Sequence, residues 1–239
     1  HPDHPIPITP GARAMPLSNV APALREKIRG NLMYTLYWSP GSASMAPHGV
    51  LEESGAKFEL KLTSVDAGAT RDPDYLKLNP NGKVPTLVVD GSYVLFESAA
   101  IAAFIADRHP QAKLAPAPDD MARGHFYQWL VHLTNTLQPA MLRFYYPDRV
   151  ADAASEASVK QTALAEVATL WGRIDQHLAA GGPYLLGERF CAADIFAHML
   201  SCWQTSCPGI YERFPRVKRL ADLVAARPAM QRMLKLNDG

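Results

Sequence analysis

Strand patterning in the first half of the chain and helix patterning throughout the second predict an α/β domain with a four-stranded mixed sheet, followed by an all-α domain. Three observations carry that expectation. KFELKL at 57–62 alternates apolar and polar residues with the period of a half-buried strand. Asp90-Gly91 separates two β-branched and aromatic runs, at 84–89 and 93–96, as a tight hairpin does. Beyond the proline- and alanine-rich tract AKLAPAPDD (112–120), apolar residues recur only at helical spacing.

The elements follow in order. Residues 1–32 are proline-rich and read as an extension, extended or disordered over 1–18, with a short helix over 19–29 capped by Asn19. The compact region opens at Met33 with a buried strand over 33–38. In LYWSPGSASMAPH (36–48) a helix begins near Ser44, with Pro47 in its first turn, and stops at Gly55. In the 57–62 strand, Phe58, Leu60 and Leu62 form one buried face. Asp72-Pro73 opens a turn and a short helix around 75–78. After the hairpin, Ser98 caps a helix with Ile101, Phe104 and Ile105 inward, ended by His109-Pro110. The order strand, helix, strand, helix, strand, strand, helix is a β-α-β unit followed by a β-β-α unit. Asp119 or Asp120 then caps a helix bearing Phe126, Trp129, Leu130 and Leu133. Further helices are expected over 154–180, 191–205, 215–227 and 228–236. The domain boundaries are therefore 1–32 for the extension, 33–111 for the α/β domain, 112–119 for the linker and 120–239 for the helical domain.

Composition narrows the function. Lys and Arg number 24 against 23 Asp and Glu, so nothing advertises a nucleic-acid partner or an acidic membrane surface. No apolar run reaches the roughly 18 residues of a spanning helix, and 1–32 lacks the apolar core of a signal peptide. The cysteines, Cys191, Cys202 and Cys207, have neither disulfide-framework nor C-x-x-C spacing, which predicts reduced thiols and a cytoplasmic protein. The histidines lack metal-ligand spacing, so no metal is expected.

Four motifs remain: Tyr-x-x-Pro-Gly-Ser-x-Ser at 37–44, Asn-Pro-x-Gly-x-Val-Pro at 79–85, Glu-Ser followed by Ala-Ile at 97–101, and Leu-Gly-x-x-Phe-x-x-Ala-Asp at 186–194. In this order and spacing, the chain resembles the cytosolic glutathione S-transferases over nearly all of 33–236. The resemblance implies a thioredoxin-like N-terminal domain, a homodimer, and glutathione as co-substrate with no bound cofactor. It implies a cis bond before Pro85, with the Val84 main chain pairing the cysteinyl part of glutathione as an added strand would. It implies that Ser98 binds the γ-glutamyl carboxylate at a helix N-terminus and that Glu97 pairs the ammonium group. Lys83 is placed to meet the glycyl carboxylate. The plain alternatives are a structural turn at Pro85, an ordinary N-cap at Ser98 and a solvated lysine at 83.

The hydroxyls of the opening turn acquire a purpose under this resemblance. A donor to the glutathione sulfur favours the thiolate and lowers its pKa. Ser42 aligns with the catalytic serine of delta- and theta-like enzymes, and Ser44 is the second candidate. Either can instead be a turn residue beside Pro-Gly. Ala43 stands where the bacterial beta-like enzymes place a cysteine, which weighs against mixed-disulfide and reductive chemistry. Gln138 replaces their usual histidine, and the Ser-Ser-Cys motif of the zeta-type isomerases is missing. In the 186–194 motif Cys191 takes the cap position and Asp194 completes a capping box. Tyr145, Tyr146 and Trp203 are candidates for the acceptor pocket, each with a plain role as core aromatic beside it. The expected activity is conjugation of glutathione to a small hydrophobic electrophile. The alternatives are a glutathione-dependent reductase or lyase, and a non-catalytic glutathione-binding module.

Overall fold

The computed structural model describes residues 32–237, and the expectations for 1–31 lie outside them. The first strand, β1 (Tyr34–Trp38), leads through a six-residue turn into helix α1 (Met45–Ser54). Gly55 ends α1 with φ +67°, the left-handed C-terminal position expected of it. Then come β2 (Phe58–Leu62), the short α2 (Pro73–Leu78), β3 (Thr86–Val89), β4 (Tyr93–Phe96) and α3 (Ser98–Arg108). Asp90 and Gly91 both take positive φ, +48° and +71°, as a two-residue hairpin requires.

The sheet order is β2-β1-β3-β4. β1 runs parallel to β2 and antiparallel to β3, and β3 is antiparallel to β4. Central position explains burial here. All four residues of β3 are buried, whereas β2 and β4 are edges. Leu62 is consequently 61% exposed, correcting the expectation that Phe58, Leu60 and Leu62 share a buried face. Tyr34, Leu36, Leu51, Leu87, Ile101 and Ile105 fill the core between sheet and helices. Phe104 is only half-buried and stacks on the exposed Tyr93.

The second half is helical as expected. Helix α4 (Ala122–His132) continues through a wide turn, Leu133–Leu137, into α5 (Gln138–Tyr145). Met121, not Asp119 or Asp120, holds the N-cap position of this helix, and the Asp120 carboxylate just before it accepts from the Ala122 N–H at 2.9 Å. There follow α6 (Glu156–Gly181), α7 (Ala192–Ser201), the single-turn α8 (Ile210–Arg213), α9 (Pro215–Ala225) and α10 (Pro228–Asn237). Helix α7 stops at Ser201, four residues before its expected end, and every one of its residues is buried.

Helix α1 joins the halves. A Cβ on Gly49 would stand 2.8 Å from Ile195 Cγ2 and 2.9 Å from Met230 Sδ, so only glycine lets α7 and α10 approach this closely. Glu53 forms a bidentate pair with Arg227 at 2.7 and 2.8 Å, and Arg232 binds Glu52 at 2.7 Å.

Candidate active site

Register brings the motifs to one end of the sheet. Thr86, the first residue of β3, pairs with Tyr37 on one side and Phe96 on the other. The chain leaving β1 at Ser39, the chain entering β3 at Val84-Pro85, and the junction at Glu97-Ser98 therefore lie at the same end of the sheet. The Val84–Pro85 bond is cis, as the resemblance implied.

The 39–44 turn is held by its own hydroxyls. Ser44 is completely buried. Its Oγ donates to the Ser39 carbonyl at 3.0 Å and accepts from the Ser39 N–H at 3.2 Å. Ser42 is half-buried, with its Oγ 2.7 Å from both the Ser39 carbonyl and Ser44 Oγ. It accepts from the Ser44 N–H at 3.2 Å. Each hydroxyl has one proton to give. Because Ser44 already supplies the Ser39 carbonyl, the Ser42 proton can turn toward a ligand without orphaning that carbonyl. Ser44, completely buried, has no access to a ligand. It stands at the helix-capping position, yet its side chain points back to Ser39 rather than into α1.

The loop before Pro85 is fixed by two side chains that the sequence reading assigned no role. Asn79 Nδ2 donates to the Lys83 carbonyl at 2.8 Å and to Thr86 Oγ1 at 3.1 Å. Tyr75 Oη donates to the same carbonyl at 2.6 Å and lies 2.8 Å from Thr86 Oγ1. The opening Asn of the 79–85 motif was the available signal for one of them. Tyr75 carried none, since its role depends on where α2 packs. Gly82 takes φ +58°, and a Cβ there would meet Arg71 and the Thr70 carbonyl at 3.0 and 3.1 Å. Lys83 projects its side chain into solvent and Val84 is half-buried. Among the described residues, the Val84 main chain makes no hydrogen bond.

At the third junction the cap expectation shifts by one residue. Glu97, at φ +72° and ψ +111°, holds the N-cap position of α3, and Ser98 is its first residue. The Glu97 side chain is exposed and Ser98 is buried. The first-turn N–H groups of α3 have no partner within the helix and adjoin the Ser98 hydroxyl.

The helical half contributes aromatics. Tyr145 donates from Oη to the Trp203 carbonyl at 3.0 Å, and their rings meet edge to face at 6.3 Å. Trp203 Nε1 donates to the Gly41 carbonyl at 2.9 Å, which places it against the turn that carries Ser42. Tyr146 adjoins Tyr145 and is covered by the Arg149 guanidinium at 3.7 Å. The structure thus brings together all three expected aromatics, with Trp203 on the turn itself. A cavity of about 400 Å³ lies elsewhere, lined by Lys113, Pro116, Asp120, Leu186, Arg189 and Phe190. None of the residues above lines it.

Burial pushes the Cys191 thiol well above its ordinary pKa, and raises that of Cys207. Neither offers a thiolate near neutrality. Among the described residues no group of His, Cys, Asp and Glu side chains could hold a metal ion, and no helix is long and apolar enough to cross a membrane. In the fourth motif the capping box forms. Asp194 accepts from the Cys191 and Leu185 N–H groups, both at 2.8 Å.

Comparison with known proteins bears on family and fold. Residues 33–107 match the family model described as glutathione S-transferase, N-terminal domain, and 134–235 match glutathione S-transferase, C-terminal domain. Glutathione S-transferase 3 of Zea mays is 33% identical, over 84% of this chain and 91% of that protein. Glutathione S-transferase GST-4.5 of Xanthomonas campestris pv. campestris is 34% identical, over 70% and 81%. A sphingomonad glutathione S-transferase complexed with glutathione superimposes with a TM-score of 0.75 at 31% identity, covering 85% of this chain and 98% of its own.

Proposed function

The chain belongs to the glutathione S-transferase family, and from that premise we propose that it binds glutathione at this end of the sheet and transfers its thiolate to a small hydrophobic electrophile. The observation that carries the reading is the half-buried Ser42 hydroxyl with a proton it can redirect, beside a completely buried Ser44.

The Val84 main chain pairs the cysteinyl unit as an added strand does. Ser98 and the α3 N-terminus receive the γ-glutamyl carboxylate, and Glu97 receives the ammonium group. Lys83 meets the glycyl carboxylate across solvent, with the small net contribution of an exposed pair. Pro85 shapes the loop that presents Val84. Ser42 donates to the sulfur and Ser44 orients Ser42, so the two serines divide the roles that sequence left open between them. Tyr145, Tyr146 and Trp203 line the acceptor side. No resident cofactor takes part. The protein acts as a cytoplasmic homodimer, a reading supported by the exposed Tyr93 and Phe96 on the β4 edge and tested by light scattering.

The thiolate absorbance of bound glutathione, titrated from pH 5 to 9, tests the mechanism. A bound thiol about two units below the free thiol would reflect roughly 2.7 kcal/mol of differential stabilisation. Ser42→Ala should return the pKa toward the free value and cost about 100-fold in rate near pH 6.5. Glutathione binding with an unshifted thiol would instead support the non-catalytic module.

A further inference from the structure

Gly41 precedes Ser42 and belongs to neither β1 nor α1, so no ladder or helix fixes its peptide groups. Both are held from the other half of the molecule. Its N–H donates to Asn237 Oδ1 at 3.3 Å, and its carbonyl accepts from Trp203 Nε1 at 2.9 Å. Asn237 is the last residue of α10 and is buried. Its amide is oriented, with Nδ2 donating to the Met233 carbonyl at 2.9 Å and facing His48 Nδ1 at 3.5 Å. His48 is completely buried between the Trp38 and Phe58 rings, and burial lowers its pKa to about 4. At neutral pH it is uncharged and can accept that N–H. Trp203 is oriented in turn by Tyr145 at its carbonyl.

We propose that Asn237 and Trp203 are positioning residues: by gripping both polar groups of Gly41 they set the Ser42 hydroxyl, so that activation of the thiol depends on the end of the last helix. The inference rests on the reading in which Ser42 activates glutathione. Its physical basis is the steep directional falloff of a hydrogen bond. Gly41 has φ +64° and nothing within 4 Å of where a Cβ would stand, so side-chain packing does not hold it, and within the turn the Gly41–Ser42 peptide keeps only the long Ser42 N–H to Ser39 carbonyl bond at 3.4 Å. With either grip released, the turn can rotate and the Ser42 proton swings off line, while Val84, Glu97 and Ser98 still bind the peptide parts of the ligand.

The test uses the whole chain and bound glutathione without electrophile, which separates positioning from any role of Trp203 toward the acceptor. Three variants suffice: Asn237→Ala removes the acceptor, Asn237→Asp keeps an acceptor oxygen, and Trp203→Phe keeps a ring but removes the donor. Asn237→Ala and Trp203→Phe should each raise the bound thiol pKa by about one unit, roughly a fivefold loss of thiolate near pH 6.5. In turnover, kcat should fall by that factor at pH 6.5 and recover toward wild type at pH 9, with the KM for glutathione within about twofold of wild type. Asn237→Asp, which keeps the acceptor but loses the Nδ2 donor to the Met233 carbonyl, should restore part of the shift. An unchanged thiol pKa in both Asn237→Ala and Trp203→Phe, whatever their melting temperatures, would overturn the proposal. Ser42→Ala separates the two failures. If it raises the thiol pKa and these variants do not, the positioning inference alone is wrong. If it leaves the pKa unmoved, the activation mechanism falls and the positioning role with it.

Discussion

The sheet half of the candidate site offers main-chain atoms at three junctions, around Ser42, Val84 and Ser98, whereas the helical half offers the side chains of Tyr145, Tyr146 and Trp203. In the first half backbone conformation is the recognition device. It is kept by residues that cannot be exchanged freely: Gly41 and Gly82 at positive φ, a cis Val84–Pro85 bond, and Asn79 clasping the Lys83 carbonyl. In the second half the side chains themselves are the contact surface, with Trp203 alone also tied to the turn through its indole N–H. A conserved ligand part calls for the first kind of construction, and a variable electrophile tolerates the second.

The largest test of that contrast is a residue of the helical half that should affect stability alone. Asp194→Ala leaves the buried Cys191 and Leu185 N–H groups unpartnered and should cost about 2–4 kcal/mol in urea denaturation. The KM for glutathione should not change. Cys191→Ser should be neutral or slightly stabilising, since a hydroxyl caps better than a thiol.

Next comes a pair of buried groups of opposite sign, one in each half. His48 has its pKa lowered to about 4 by burial, so its contribution is complete above the unfolded value near 6.5 and is lost as pH falls toward 4. Glu52 at 3.9 Å, Asn237 and the Trp38 and Phe58 rings face it. Asp194 is raised to about 6 by burial, so its contribution is complete below the unfolded value near 4 and is lost as pH rises through 6. Each is worth about 3 kcal/mol across its window, and over pH 4–6 they largely cancel. The wild-type curve should therefore be flat there. His48→Gln should become steadily more stable relative to wild type as pH falls from 6.5 to 4. Parallel curves for the variant and wild type would show that His48 does not titrate as its burial implies.

The smallest effect sharpens the comparison. Tyr145→Phe loses the bond to the Trp203 carbonyl and should cost about 1 kcal/mol or less of stability. It should alter the KM for the electrophile by a few-fold while leaving that for glutathione unchanged.

Legibility in the sequence follows the same division. The succession of strands and helices, the hairpin at Asp90-Gly91 and the end of α1 at Gly55 were readable, because glycine reports backbone conformation directly, while the cis bond before Pro85 was implied by the family resemblance. The exposure of Leu62 was not, since alternation shows that a strand has two faces but not that it lies at an edge. The difference in burial between Ser42 and Ser44 was also hidden. Two serines two residues apart look alike until the turn buries one of them. Asn237 gave no sign at all. Nothing in a helix terminus announces that it reaches a glycine 196 positions earlier.

The polar groups of the turn that carries Ser42 are hydroxyls and peptide groups, with no side chain that ionises between mildly acid and mildly alkaline conditions. On the proposed mechanism the acid limb of an activity profile is therefore a property of the incoming sulfur. A glutathione analogue with a more acidic thiol, or a selenol, should carry that limb with it to lower pH, so that the profile is exchanged along with the co-substrate.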